Sequence, residues 1–464
     1  MARVVERADV AELLAKSVVE VTYDDLSDDT VEVTKRSILD TMGVATAASG
    51  LAPELIGVVD LVKEAGGKEE STIWGFGGKV PAWMAAFANG AMAHALDYDD
   101  VFDEFAVHPS ATTVPAAFAT AERIGGVSGK EFITAVALGN DIIGRMAKAV
   151  VWKRDWFLTP LFGVFAATAT AGKLLRLDAD GLTSAFGIAL CQAAGTMEIV
   201  YGVGANIRGM YDSFVGKAGV LAALLAQRGV EGVRTSLEGK AGLFNVYFRG
   251  EYDRQALMTG LGKDFEGARV SFKPWPCCRF SHPYVTALLA LVRQHHVLPG
   301  EIESITVETS SASEQLCVPH EARRRPATSL DAKFSIPYIV ALAALKGDIV
   351  LEDFSPVAIR DAESLAFAQK VKSRLNTELD AHSGRPQGKV ELKMKDGRVY
   401  SHTEEFAYGH PRNPISKDDI SRKFADCASH SAQAVTKDNV EGIIQMAGRL
   451  ETVSDVRQIT RLLP

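Results

Sequence analysis

Residues 89–115 read NGAMAHALDYDDVFDEFAVHPSATTVP, in which two runs of small residues flank a short acidic segment. Small side chains let helices approach closely, so the two runs predict a pair of buried helices joined by a break. Pro109 disfavours helical backbone at His108 and therefore places that residue in the break. Seven titratable side chains fall within the stretch: His94, Asp97, Asp99, Asp100, Asp103, Glu104 and His108. This density predicts a polar site beside a helical core.

Two interpretations of this polar segment are open. Acidic residues at a helix end are common as caps and in solvated turns. Alternatively, His94 and Asp97 are three residues apart, on one helix face, and a carboxylate beside an imidazole can act as a general base and a general acid. We predict catalytic roles for Asp97 and His108. The other acids are expected to shape or cap the break: Asp99, Asp100, Asp103 and Glu104.

A divalent metal site is a third interpretation of the same segment. Imidazole and carboxylate ligands suit such an ion, and five residues could supply them: His94, Asp97, Asp99, Asp100 and His108. Helical metal-dependent phosphohydrolases usually depend on an adjacent His-Asp dipeptide, and the sequence contains none. The sequence therefore favours a site without metal.

The composition is that of a globular protein, with 464 residues, 47% hydrophobic and 23% charged. A formal net charge of -8 argues against nucleic acid or an anionic membrane as the main partner, because both bind basic protein surfaces. The five cysteines are scattered without a CxxC pair, which predicts neither a disulfide framework nor a zinc ribbon. No apolar run long enough for a membrane span or a signal peptide is found, so we expect a cytoplasmic protein.

The apolar periodicity is helical through most of the first 266 residues and changes character near residue 263. Residues 301–310 alternate as a strand does, and a hairpin is predicted with its turn at residues 395–397. Helices are predicted over residues 115–124, 332–345 and 361–375, among others, and again from about residue 416. The predicted class is mainly α. An all-helical domain (1–266) is followed by an α+β domain (267–405), and residues 406–464 return to the first domain.

Three basic groups could bind an anionic ligand. Arg208 follows a Gly-rich loop, Lys273 and Arg279 lie in the Pro-rich connector KPWPCCRFSHP, and a run of arginines spans residues 323–325. Arginine suits carboxylates because its planar guanidinium binds them through two parallel hydrogen bonds. A solvated charged loop is the alternative for residues 323–325.

Six motifs, taken in order, resemble the MmgE/PrpD family: NGAMAHALDYDD, HPSATTVPAAFATAERIG, SGKEFITAVALGNDIIGRM, FGVFAATATAGKLLRLD, KPWPCCRFSHP and AKFSIPYIVALAALKGDI. The resemblance implies a cofactor-free lyase or isomerase that acts on a di- or tricarboxylic acid. It also implies a homodimer, a large helical domain formed by both chain ends and an inserted smaller α+β lid domain. By the same resemblance, Asp97, His108 and the connector from Lys273 through Cys278 and Arg279 to His282 line the active site.

The sequence departs from the family pattern at several positions. Phe157 stands where many members have a His before Pro-Thr, and Val101 stands where decarboxylases carry a Thr. Arg208 and Tyr211 lie where many members have a catalytic Lys followed by His-Ala-Gly. Phenylalanine transfers no proton and arginine is too basic to do so readily, which weakens the decarboxylase and methylcitrate dehydratase assignments.

The prediction is a metal-independent lyase or isomerase that abstracts a proton alpha to a carboxylate. Asp97 or His108 would be the base and Tyr211 an acid. The substrate-binding residues would be Arg208, Lys273, Cys278, Arg279, His282 and Phe157. Dehydration is the first choice, with epimerisation or decarboxylation as alternatives. A non-catalytic protein that binds carboxylates is the alternative if the chain is not an enzyme.

Overall fold

Helices make up most of the molecule, as the computed structural model of residues 7–153, 155–201, 205–382 and 386–464 shows. This confirms the mainly α prediction. The chain forms two compact units, one of Met1–Val270 with Lys417–Pro464 and one of Ser271–Ser416. Residues 202–204, within the Gly-rich loop noted above, lie outside the described residues.

The first part of the first unit contains twelve α-helices among the described residues and one short hairpin. The helices are α1 (Val10–Glu20), α2 (Asp28–Leu51), α3 (Leu55–Ala65), α4 (Ala82–Ala95), α5 (Ser110–Ile124), α6 (Gly129–Lys148), α7 (Leu158–Leu174), α8 (Ala179–Ala189), α9 (Glu198–Tyr201), α10 (Tyr211–Gln227), α11 (Leu243–Phe248) and α12 (Arg254–Met258). The hairpin pairs β1 (Ser71–Thr72) with β2 (Lys79–Val80). The glycines between the two strands therefore lie in a turn.

Local signals in the sequence explain several helix boundaries. The Ser27 side chain accepts a hydrogen bond from the Thr30 amide and so caps α2. Gly66 ends α3 with a left-handed φ of 64°. The helices α4, α5, α6, α7 and α10 are almost entirely buried along their length, and α10 packs against both α4 and α7. Small residues at these contacts permit the close approach.

The prediction that a helix begins at Pro115 is wrong, because α5 begins five residues earlier at Ser110. The Pro109 carbonyl accepts hydrogen bonds from the amides of Thr112 and Thr113, which starts the first turn. Pro115 lies inside the helix and removes only its own hydrogen bond. Burial of α5 on nearly every face stabilises the helix despite that loss.

The second unit combines helices with a mixed sheet of order β4-β3-β5-β6. Its elements are α13 (His282–His295), β3 (Ile302–Thr309), α14 (Ser311–Glu314), α15 (His320–Arg324), α16 (Ser329–Lys333), α17 (Ile336–Lys346), α18 (Ala362–Ala368), β4 (Val371–Leu375), β5 (Gly388–Met394) and β6 (Val399–Glu404). The strand at residues 301–310 and the hairpin are confirmed. The remaining helices belong to the first unit: α19 (Lys417–Ser429), α20 (Lys437–Gly448) and α21 (Arg457–Thr460).

The prediction of one helix over residues 361–375 is wrong in its second half. The helix ends at Ala368, and β4 pairs in parallel with β3, with Val371 opposite Ile305. Val371 and Ile305 are both fully buried. The hydrogen bonds that form this strand come from a segment more than sixty residues away, so local periodicity does not reveal them.

Within the described ranges, no single helix has the length and hydropathy needed to cross a bilayer. Helices α2 and α3 pass that test only as a pair, and the chain bends by 98° between them.

Candidate active site

The predicted polar site lies in the connection between α4 and α5, which the structure describes completely. His94 is in the last turn of α4, and the helix ends at Ala95. Asp97 adopts a left-handed φ of 53°, and its amide donates to the His94 carbonyl at 2.9 Å. The prediction that His94 and Asp97 share one helix face is therefore wrong, because the backbone reverses between them.

The centre of the site is the buried carboxylate of Asp99, which contacts both histidines. One oxygen lies 2.9 Å from Nδ1 of His94, and the other lies 3.0 Å from Nδ1 of His108. The two imidazole rings are 4.6 Å apart between centroids. Burial tends to raise the pKa of Asp99, but the charges and hydrogen bonds of the two histidines outweigh it and hold the pKa well below 3.8.

This arrangement fixes the tautomer of both rings. A carboxylate accepts hydrogen bonds, so each Nδ1 carries the proton that it donates to Asp99. Each Nε2 is then left to accept or deliver a proton. His94 and His108, held by one carboxylate, are hereafter called the histidine pair. The pair has the composition of an acid–base site.

Asp100, the next residue, contacts the same Nδ1 atom of His108. Its carbonyl oxygen lies 2.9 Å from Nδ1 of His108, and its carboxyl accepts from the hydroxyls of Ser37 at 2.9 Å and Ser110 at 2.5 Å. Burial raises the pKa of Asp100 to about 7, although the Ser110 hydroxyl opposes the shift. Asn140 donates to the Ser110 hydroxyl at 3.1 Å and extends the network into α6. These bonds fix the backbone that carries His108.

Tyr211 and Phe157 form the apolar wall beside the histidine pair. The Tyr211 ring lies 4.7 Å from the ring of His94 and 4.4 Å from that of Phe157. Burial raises the pKa of Tyr211 well above 10, and the charges of Asp212, Asp99 and Asp97 raise it further. The phenol is therefore neutral and able to donate a hydrogen bond. The structure thus brings Tyr211 and Phe157 together with the residues of the α4–α5 connection.

A second buried acid, Asp212, lies next to Tyr211 at the start of α10. One of its oxygens accepts from the Thr112 hydroxyl at 2.7 Å, and the other makes no hydrogen bond with the described residues. Burial raises the pKa of Asp212 to about 8, and the charge of Asp99 raises it while His108 lowers it. A carboxyl with this pKa is protonated at neutral pH.

Arg208 is placed by a short 3₁₀ turn, Asn206–Gly209, ahead of α10. Its side chain is half-buried. A Cβ added at Gly209 would lie 3.3 Å from the Cα of Ala95, so this turn packs against the end of α4. The turn therefore brings Arg208 to the same end of α4 that carries His94.

The predicted residues of the connector lie in the second unit, where Lys273, Arg279 and His282 are all buried. Arg279 donates to the carbonyl of Tyr408 at 3.0 Å, and its Nη1 lies 3.4 Å from Nδ1 of His282. Nε2 of His282 lies 3.2 Å from the Cys277 carbonyl. The structure therefore brings Arg279 and His282 together.

Two other predicted residues have backbone partners in this unit. The Cys278 amide donates to the carbonyl of Lys333 at 3.0 Å. Arg323 donates to the carbonyls of Val318, Gln315 and Phe334. Carbonyl bonds of this kind support a structural role for Arg323.

Within the described residues, one group has the ligand atoms for a metal ion: His94, Asp99 and His108, whose candidate atoms lie within 4.8 Å of one another. The carboxylate and imidazole ligands fit a divalent transition metal. Both Nδ1 atoms are at hydrogen-bond distance from Asp99, so an ion bound through those two atoms would have to displace their protons. Asp99 therefore gives both Nδ1 atoms a hydrogen-bond partner without an ion.

Two family models match successive parts of the chain. The sequence model of the MmgE/PrpD N-terminal domain matches residues 12–255, and that of the MmgE/PrpD C-terminal domain matches residues 275–449. The chain belongs to the MmgE/PrpD family. This confirms the resemblance seen in the sequence motifs.

Three proteins named cis-aconitate decarboxylase are similar to this chain over nearly its whole length. The protein from Aspergillus terreus (strain NIH 2624 / FGSC A1156) is 26% identical over 461 residues, which cover 94% of this chain and 92% of that protein. The Mus musculus protein is 25% identical, with coverage of 94% and 90%. The Homo sapiens protein is 26% identical, with coverage of 94% and 91%.

Two members of the site, Asp99 and His94, were considered as possible metal ligands but were not predicted as catalytic residues. The sequence interpretation assigned Asp99 to a cap and placed His94 beside Asp97. The useful signal is that His94 and His108 flank Asp99 at distances of five and nine residues. The left-handed turn at Asp97 lies between His94 and Asp99, and such a backbone is uncommon outside glycine, so the sequence did not indicate it.

Proposed function

We propose that this member of the MmgE/PrpD family is a lyase that transfers a proton at the carbon alpha to a carboxylate of a di- or tricarboxylic acid. The observation that carries the proposal is the Asp99 carboxylate bonded to Nδ1 of both histidines. This leaves two Nε2 atoms for proton transfer. One neutral imidazole can accept a proton while the other, protonated, delivers one.

Dehydration is the reaction that uses both members of the histidine pair. The base takes the proton from the alpha carbon, and the electron pair forms the new double bond as the beta carbon–oxygen bond breaks. The acid protonates the departing hydroxyl, so the products are an unsaturated acid and water. Acid–base groups of this kind contribute about 10²–10⁴-fold to rate. We propose Asp97 and the neutral Tyr211 as further groups for proton transfer.

Decarboxylation is the second candidate, and it is favoured by the names of the three relatives. In that reaction the carbon–carbon bond to a carboxylate breaks, carbon dioxide leaves, and the acid protonates the resulting carbanion. Val101 is apolar and buried, so it donates no proton at this step. Epimerisation would instead use the carbanion formed by proton abstraction alpha to a carboxylate, and would reprotonate that carbon from the opposite face.

We propose Arg208, Lys273 and Arg279 as the residues that bind substrate carboxylates, with Cys278, His282 and Phe157 as further contacts. Guanidinium groups bind carboxylates through paired hydrogen bonds, and cations also stabilise the enolate charge that develops during proton abstraction. The lid role of the second unit remains a prediction. Five free thiols support a cytoplasmic location.

The test is a panel of citrate-like, aconitate-like and amino-dicarboxylate compounds incubated with the protein in D₂O and followed by NMR. Deuterium incorporation at carbon without net reaction indicates epimerase-type exchange. A new alkene indicates dehydration, and released carbon dioxide indicates decarboxylation. A protein that binds a compound saturably without any of these outcomes is a carboxylate-binding protein, which would contradict the lyase proposal.

Two variants and one metal measurement sharpen this test. His108→Ala should abolish turnover, whereas the exposed Glu104→Gln in the same connection should retain it. Elemental analysis of the purified protein checks the metal-independent mechanism. Stoichiometric metal, together with loss of activity on chelation, would contradict that part of the proposal.

A further inference from the structure

A cavity lies within the first unit, away from the histidine pair. Its volume is about 770 Å³, which is within the usual range of about 300–1,000 Å³ for small-molecule sites. Val19, Val21, Val127, Leu174 and Leu175 supply most of its apolar wall. An apolar wall of this extent suits the hydrocarbon part of a ligand.

Helix geometry separates this cavity from the histidine pair. His108 and Phe157 lie just before the first residues of α5 and α7, whereas the cavity is lined by the last residues of the same helices, Ile124 and Leu174. These helices contain 15 and 17 residues, which corresponds to about 22 and 25 Å at 1.5 Å per residue. A ligand in this cavity would not touch the histidine pair.

Most polar groups that line the cavity already have partners. The end of α7 is capped by the chain itself, because the amides of Arg176 and Leu177 donate to the carbonyls of Lys173 and Gly172. Glu131 pairs with Arg176 at 2.9 Å, and the Asp178 carboxylate accepts from the Gly181 amide at 2.7 Å. These polar groups are therefore already satisfied by hydrogen bonds or ion pairs within the chain.

Two ammonium groups at the cavity lack an acidic partner among the described residues. Lys173 donates to the carbonyls of Val19 at 2.9 Å and Val21 at 2.7 Å, which uses two of its three N–H bonds. Lys130 is exposed and lies 4.8 Å from the centre of the Tyr23 ring. Asp25 is close enough to Lys173 to act on its charge, but its carboxylate accepts from the amide and hydroxyl of Thr22.

We propose that this cavity binds an anionic ligand with an apolar body, of the class of a medium-chain carboxylate, through the ammonium groups of Lys130 and Lys173. The carboxylate would accept the third N–H of Lys173 and pair with Lys130. The hydrocarbon body would lie against the valine and leucine side chains. Such a site provides a place for an effector or a second ligand that does not compete for the histidine pair.

The experiment is calorimetric titration of the full chain with octanoate and with octylamine, which have similar hydrocarbon chains and opposite charge. Octanoate should bind saturably and octylamine should not. The double variant Lys130→Met/Lys173→Met should weaken octanoate binding at least tenfold. Lys437→Met, at an exposed position outside the cavity, should leave it unchanged. His108→Ala should bind octanoate as the natural sequence does.

Several results would overturn the proposal. These are equal binding of octylamine, full affinity in the double variant, and absence of binding up to about 10 mM octanoate, where a Kd of 1 mM would be visible. Loss of octanoate binding in His108→Ala would place the ligand at the histidine pair instead. If Lys173→Met does not fold, the exposed Lys130→Met alone should weaken binding at least threefold.

Discussion

Asp99 is the residue on which the proposed chemistry depends most. Asn at this position has nearly the same shape but is neutral and carries an amide that cannot accept from a second Nδ1–H. We expect Asp99→Asn to lower kcat by about 10²–10³-fold, because both rings lose their fixed tautomer and orientation. Glu104→Gln is the matched control, since it removes an exposed carboxylate from the same connection. Full activity in Asp99→Asn would refute the role of the histidine pair.

Asp212 should make stability depend on pH. Its folded pKa of about 8 lies above the ordinary value of 3.8, so the folded protein binds more protons than the unfolded chain between these values. The free energy of unfolding should therefore fall as the pH rises toward 8, and one such group contributes up to about 1.4 kcal/mol per pH unit. The pKa of Asp100 is also raised, to about 7, so this residue likewise makes the free energy of unfolding fall as the pH rises to that value.

Asp212→Asn isolates the contribution of this one acid. The variant should gain stability relative to the natural sequence as the pH rises from 6 to about 8 in denaturant unfolding. Thr112→Val removes the hydrogen bond but keeps the carboxyl. In this variant the free energy of unfolding should still fall as the pH rises. If the free energy of unfolding of Asp212→Asn depends on pH as that of the natural sequence does, the pKa of Asp212 is not raised by folding.

At the scale of single residues, the sequence predicted part of the polar cluster, and the roles of its members stay predictions. Asp97, His108, Tyr211 and Phe157 do lie around the α4–α5 connection. Asp212 was missed because a lone Asp at the start of a helix is ordinarily a solvated residue that favours the helix dipole. Its burial depends on α10 packing against α4 and α7, which only the folded chain reveals.

At the scale of elements, the start of α6 shows how the last part of the chain packs onto the first. The Gly129 amide donates to the Val453 carbonyl at 2.8 Å, and a Cβ added at Gly129 would lie 1.6 Å from the Leu450 carbonyl oxygen. Gly129→Ala should therefore lower the free energy of unfolding by about 3 kcal/mol, because the backbone near Leu450 must move.

Gly57→Ala is the matched control for this element. A Cβ there meets nothing within 4 Å, and the residue lies inside α3. It should raise stability by about 0.5–1 kcal/mol, through the higher helix propensity of Ala. If the two substitutions change the free energy of unfolding equally in denaturant unfolding, the segment around Leu450 is not in close contact with the start of α6.

Helices were predicted better than strands. Helical apolar periodicity runs through most of the first 266 residues, and signals such as the Ser27 cap of α2 are local to the element. Strand β4 was missed because its five residues are paired by β3, and only Val371 among them is buried. An edge strand of this kind carries almost no alternation of its own.

At the scale of the whole molecule, we propose that two copies of the chain associate, as the family resemblance implies. The mass measured by light scattering should be twice the chain mass of 49.8 kDa. A mass of one chain at micromolar concentration would contradict the proposal. Dilution should also lower the melting temperature if folding and association are linked.

The left-handed backbone at Asp97 separates what the protein needs for stability from what it needs for chemistry. A side chain at a φ of 53° costs about 1–2 kcal/mol, and glycine adopts that backbone freely. Asp97→Gly should therefore be more stable than Asp97→Ala by about 1 kcal/mol, although an activity assay should find both equally impaired. Selection for thermal resistance alone would favour glycine here, and only selection for turnover would retain the carboxylate.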